Sequence, residues 1–250
     1  MCILKMTRDM KVLSKVLAIA VGAIVLVGAG VMTACQQSYG EPTQQTFTLG
    51  DYTILDASSA FEVEMSEGIT VPTLIVDELL MDKVVFKVEG DKLIIDLPGL
   101  VGGRIKSLKA QLPLNPELRK IAASGACDIE VLGETKLNEL RLSGASKADI
   151  NSATDMTTIS LSGASKANII GLGDVVSIDI SGASNLDAED LLVSEVNGTV
   201  SGASHADVTI CSRLAVAVSG ASNLTYGLVG KSCTPEIDCA VTGGSSVNAR

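Results

Sequence analysis

The chain of 250 residues is 46% hydrophobic yet only 2% aromatic, with no tryptophan, one histidine and a formal net charge of −10. Such an acidic balance excludes nucleic-acid binding and charge-driven docking on anionic lipid headgroups. The scarcity of aromatic rings removes the usual stacking surfaces for sugars and bases.

The first segment reads as a leader rather than as part of a fold. Lys5, Arg8, Lys11 and Lys15 form a basic start, residues 16–32 carry no charge, and the run ends in Met32-Thr33-Ala34-Cys35. This ending resembles the lipobox of bacterial lipoproteins, in which a small residue precedes a cysteine that becomes lipid-modified. The resemblance implies a signal peptide over residues 1–34, lipidation at Cys35, and a polar linker over 35–45. Gln36, in place of an aspartate, implies sorting toward the outer membrane. An apolar run of this length is short for a helix that spans a bilayer. Loss of residues 1–34 removes four basic residues and one acidic residue, leaving a net charge of −13.

From residue 46 to 120 the pattern is β. Phe61-Glu62-Val63-Glu64-Met65 alternates cleanly, and Glu89-Gly90-Asp91-Lys92 is a turn signal between two apolar runs. Ala110-Gln111-Leu112-Pro113 leads toward Leu118. No linker separates this part from the remainder of the chain, so residues 46–250 are expected to form one domain, with 46–120 the less regular part that caps it.

Over residues 121–250 a tetrapeptide returns. Ser-Gly-Ala-Ser opens at Ser143, Ser162, Ser181, Ser201 and Ser219, with variants at Ser124 and Thr242; the spacings are 19, 19, 19, 20, 18 and 23 residues. The residue before each motif is Ala123, Leu142, Leu161, Ile180, Val200, Val218 or Val241, and two positions earlier stand Ile121, Leu140, Ile159, Ile178, Gly198, Val216 and Cys239. This is the period of two of a strand with one buried face. A second apolar-polar-apolar strand follows each motif, as in Ala148-Asp149-Ile150 and Ala206-Asp207-Val208. Strand, tight corner, strand and loop every ~19 residues predict an all-β fold, a parallel β-solenoid.

The middle residues of the second strand align as a candidate ligand- or cation-facing ladder: Asp128, Asp149, Asn168, Asp187 and Asp207, continued by Thr225 and Asn248. Stacked carboxylates ~5 Å apart repel one another, and calcium is one way to relieve that. Lys147, Lys166 and His205, two residues before ladder members, are another. The glycine-rich nonapeptide of calcium-binding β-rolls is not in the sequence. Identical serines in every coil read as corner chemistry, not as a nucleophile, which needs one activated serine and an orienting partner. Cys127 and Cys239 fall in core columns; Cys233 and Cys239 are also a candidate disulfide in an oxidising compartment. The cysteine spacing fits no zinc site, and no metal or cofactor is expected.

Leu112-Pro113-Leu114-Asn115-Pro116-Glu117-Leu118, the Ser-Gly-Ala units, Leu224-Thr225-Tyr226-Gly227 and the final Thr242-Gly243-Gly244-Ser245-Ser246 together resemble the GIN domain, a family of suggested autotransporter-adhesin heads common in lipoproteins of Bacteroidetes-type bacteria. The resemblance implies a right-handed parallel β-helix and brings no catalytic residues. The expectation is a non-enzymatic cell-envelope lipoprotein that binds a protein or glycan ligand through its strand faces rather than a pocket. The alternative is a periplasm-facing envelope scaffold or stress-associated lipoprotein with no external ligand. A carbohydrate-active enzyme is the remaining reading, disfavoured by short loops and by the lack of aromatics along the repeats.

Overall fold

The computed structural model describes residues 38–99, 103–230 and 233–250. The expected leader and Cys35 lie outside them. The described chain is a β-solenoid in which two strand faces meet at the Ser-Gly-Ala corner and a third side returns the chain to the next turn. On the face that leads into the corner, Lys120–Ala123, Glu139–Leu142 and Thr158–Leu161 stack in parallel and in register. The stack continues through the second halves of three long strands, Lys166–Ile180, Asn185–Val200 and His205–Val218. On the face that leaves the corner, Asp128–Thr135 and Lys147–Ala153 stack beneath the first halves of the same strands, and Asn223–Leu228 and Ser246–Ala249 complete it.

The columns read from the repeat are the columns of the core. Leu140 lies between Ile121 and Ile159, and Leu142 between Ala123 and Leu161. Ile121, Leu140, Ile159 and Ile178 are all essentially inaccessible to solvent. The interior is therefore a narrow column of aliphatic side chains, which is why alanine, valine and isoleucine suit it and rings do not.

The corner explains why the motif is so regular. Each motif glycine from Gly125 to Gly243 has a positive φ of 73° to 83°. A Cβ at Gly163 would fall well inside contact distance of the Gly144 carbonyl oxygen one turn away, and the same holds up the stack. The close approach lets the following alanine N–H reach that carbonyl: Ala145 to Gly125, Ala164 to Gly144 and Ala183 to Gly163, each at 2.7 Å. The hydrogen-bond ladder thus runs through the corner without a break. The fourth motif residue turns inward. Ser146, Ser165 and Ser184 are buried, and each hydroxyl donates to the carbonyl of the first motif serine at 2.7 to 2.9 Å. Cys127 holds this position in the first repeat, its thiol donating to the Ser124 carbonyl.

The N-terminal part is more regular than its sequence announces. Ile54–Ala57 stacks in parallel on Lys120–Ala123, and Glu62–Ser66 on Asp128–Thr135. Between them Ser58-Ser59-Ala60-Phe61 makes the same corner, with Ser59 at φ 71° in the glycine position and Ala126 N–H bonded to its carbonyl. Lys92–Asp96 and Leu108–Pro113 form a further turn outside that one, although they come later in the chain. Antiparallel strands then close the end. Val85–Glu89 pairs with Lys92–Asp96; Thr73–Asp77 pairs with Leu108–Pro113, and Pro42–Thr46 with Thr73–Asp77. A short 3-10 helix, Glu78–Lys83, follows the Thr73–Asp77 strand.

Two expectations are corrected. The disulfide joins Cys211 to Cys233, with their Cα atoms 5.0 Å apart, and Cys239 is a free thiol. Cys211 and Cys233 lie on the third side of neighbouring turns, where stacking brings residues about one period apart together. Cys239 lies beyond the strand Glu236–Ile237, packs against the core and points its sulfur at the Leu214 carbonyl. The Cys233 sulfur is bonded to Cys211 in the neighbouring turn and so is not available to Cys239. The ladder register is the second correction. Asp128 pairs with Lys147, and the residue opposite Asp149 is Glu130. A slip of two residues keeps every side chain on its own face, so alternation alone cannot detect it.

Candidate functional site

With the register corrected, the face leaving the corner carries two outward columns. The first contains Glu62, Asp128, Lys147, Lys166, Asn185 and His205. The second contains Glu64, Glu130, Asp149, Asn168, Asp187 and Asp207. Basic members of the first answer carboxylates of the second. Lys147 pairs with Asp149 and, at 3.7 Å, with Asp128. His205 Nε2 lies 2.8 Å from Asp207 Oδ2. In the neighbouring N-terminal turn Lys109 bridges Glu62 and Glu64 at 2.9 and 3.0 Å. The Gln111 amide donates to Glu64 at 3.1 Å. The Gln111 hydrogen bond first, and Lys109 with it, holds the Glu64 carboxyl below its ordinary value. The bond to Glu62, then that to Glu64, raises Lys109; the bond to Asp149 raises Lys147. Toward the C-terminal end the columns become an amide and hydroxyl network, in which Ser246 Oγ and Asn248 Nδ2 donate to Asn223 Oδ1 at 2.6 and 2.9 Å.

The ladder therefore directs much of its bonding capacity at itself. Among the described residues, no group of three or more histidine, cysteine or acidic side chains is placed to hold a metal ion. The first-position serines, by contrast, sit half-exposed along the corner with weak bonds at 3.4 to 3.5 Å to the carbonyls one turn away. Neither column brings a nucleophile and a base together.

The feature with the shape of a binding site is elsewhere, on the third side near the N-terminal end. A groove of about 730 Å³ is walled by three crossing segments, residues 47–53, 71–72 and 113–117. Phe47, Leu49, Tyr52, Val71 and Leu114 give it an apolar lining. The segments are tied to the stack and to one another. Phe47 N–H donates to the Pro72 carbonyl at 2.8 Å and Leu114 N–H to that of Ser66 at 3.0 Å. Asn115 Nδ2 donates to the Tyr52 carbonyl at 2.7 Å, while its side-chain oxygen accepts from Glu117 N–H. Phe47 packs edge-on against Phe86, ring centroids 4.8 Å apart. Burial pushes the Tyr52 hydroxyl up to about 12 against a smaller opposing effect of Asn115. Leu114 lies over Gly133, where a side chain would displace it.

Sequence reasoning expected flat faces and missed this groove. Its one signal is Leu112-Pro113-Leu114-Asn115-Pro116-Glu117-Leu118, which breaks the alternation just ahead of the first repeat. What that segment faces depends on two loops far from it in sequence.

The comparisons agree on the fold. The family model described as "Putative auto-transporter adhesin, head GIN domain" matches residues 51–227. A crystal structure of a putative adhesin from Bacteroides fragilis is similar with a TM-score of 0.71 at 13% identity, covering 86% of this chain and 100% of that one. A putative adhesin from Parabacteroides merdae gives 0.66 at 17% identity over 86% and 99%. A protein from Parabacteroides distasonis described as a putative lipid binding protein gives 0.64 at 20% identity over 86% and 99%. A comparison with curated proteins finds no match. Among the described residues, no helix is long and apolar enough to cross a membrane.

Proposed function

The chain belongs to the GIN-domain family of suggested auto-transporter adhesin heads, and from that premise we propose that it is a non-enzymatic binding protein of the cell envelope, held there by a lipid on Cys35. The observation that carries the reading is the groove of about 730 Å³ at the N-terminal end of a solid, self-paired stack. Its volume falls within the ~300–1,000 Å³ typical of ligand clefts. The lining offers apolar contact and carboxylates, a combination suited to gripping a ligand. The Cys211–Cys233 disulfide supports an oxidising location outside the cytoplasm. The Met32-Thr33-Ala34-Cys35 sequence supports the lipid anchor, and Gln36 supports an outer-membrane address.

Protease treatment of intact cells carrying a tagged copy tests the surface placement, with lysed cells as control. Digestion on intact cells is expected. Protection on intact cells with digestion after lysis would replace the adhesin reading by a periplasmic one. In parallel, radiolabelled palmitate should enter the wild-type protein and not Cys35→Ala; equal labelling would remove the lipid anchor from the proposal.

A further inference from the structure

We infer that the groove near the N-terminal end docks an extended polypeptide segment that carries apolar side chains together with a lysine or arginine. The inference rests on the reading of the protein as a binding module and names the chemistry of its partner. Two observations point the same way. The lining is apolar and exposed where it counts: Val71, on its wall, is 46% accessible to solvent. Burying such surface against apolar side chains is favourable by ~25 cal/mol per Å².

The second observation is charge. Asp51 and Glu117 are the charged residues of the lining, and no basic residue joins them. Glu117 is answered from outside by Lys136 at 2.6 Å, whereas Asp51 is exposed. The net charge of −10 adds a long-range field of the same sign. A fatty acid, an anionic phospholipid or a second copy of this acidic chain meets repulsion there; a basic side chain meets complementarity.

The carboxylates accept hydrogen bonds, and an ammonium or guanidinium supplies them. The groove is an open trough between crossing segments, so a chain can pass through it and set alternate side chains against the lining.

The test uses the full-length chain, purified in neutral detergent. The probe is a fluorescein-labelled octapeptide alternating leucine and lysine, followed by anisotropy. A leucine–glutamate and a serine–lysine octapeptide separate the apolar and the charged requirement. The leucine–lysine peptide is expected to bind at least about tenfold more tightly than either. Val71→Ser and Asp51→Lys, both at exposed positions, should each weaken it about tenfold while thermal unfolding stays unchanged. Asp174→Lys, an exposed acidic site away from the groove lining, should leave it unaltered. Equal binding of the three peptides overturns the inference, as does an Asp174→Lys loss equal to that of Asp51→Lys, which would mean unspecific attraction. Failure here would leave the intact-cell result standing, so the two readings fall separately.

Discussion

At the scale of single residues, the corner glycine is the most constrained position in the chain. It combines a positive φ with a neighbouring carbonyl where a side chain would sit. Ser59 shows that the φ alone is tolerable: at the outermost repeat-like corner it adopts 71° with a side chain, and its hydroxyl bonds Asp96 Oδ1 at 2.8 Å. Inside the stack the carbonyl of the next turn removes that option. Gly163→Ala is therefore expected to destabilise by more than the ~1–3 kcal/mol of a strained φ alone, read as a shift in the urea midpoint. The same change in exposed Gly90, where φ is 65° but no atom lies within 4 Å of the added Cβ, should lose only the strain. Equal losses at the two sites would show that stacking contact is not the reason for the glycine. Cys127 illustrates the opposite freedom. Burial raises its thiol, it copies the hydroxyl-to-carbonyl bond of the buried serines, and it needs no reactivity to be accounted for.

At the scale of elements, neighbouring strands are coupled through their outward columns as well as their backbones. Glu64 and Lys109 lie on paired strands of the two N-terminal turns. Because Glu64 is held below its ordinary 4.5, its contribution to stability is full above that value and is lost as pH falls through the lowered folded value. Lys109 is raised, so its contribution is full below its ordinary value and fades as pH rises through the raised one. The pair is intact at neutral pH. Lys109→Met should flatten the acid side of the stability–pH curve, followed by urea unfolding from neutral pH down through the carboxylate range. An unchanged acid slope would mean that the bridge contributes nothing to stability. The columns also show how the carboxylate ladder is partnered: cations, amides and hydroxyls are distributed along the adjacent column at the spacing of one turn.

At the scale of the molecule, each turn contacts mainly its neighbours, and stability is approximately a sum of local terms. The antiparallel strands close the N-terminal end of the stack. Near the other end, the Cys211–Cys233 disulfide links neighbouring turns across a sequence separation of 22, a closure worth ~3 kcal/mol in the chain-entropy account. Hydrogen exchange should show amides of Ser246–Ala249 opening before those of Thr158–Leu161. Reduction of the disulfide should accelerate exchange in the strands from Asn223 onward and leave Thr158–Leu161 unchanged. Uniform acceleration through the whole stack would mean a single cooperative unit instead.

The sequence alone determined the class of fold, the two strands per turn, the core columns from Ile121 to Val216 and the corner motif, because a stacked repeat writes its contacts as a period. It also carried a repeat-like corner in Ser58-Ser59-Ala60-Phe61, legible only through its offsets to the flanking strands. Only the tertiary structure decided which residues one turn apart truly meet: Glu130 rather than Asp128 beside Asp149, and Cys211 rather than Cys239 beside Cys233. Alternation is blind to a shift by two, and proximity in a solenoid follows the turn rather than the chain. The groove belongs to the same category. Its walls come from segments separated by dozens of residues, and they converge because the second N-terminal turn stacks outside the first, an ordering that no local pattern encodes.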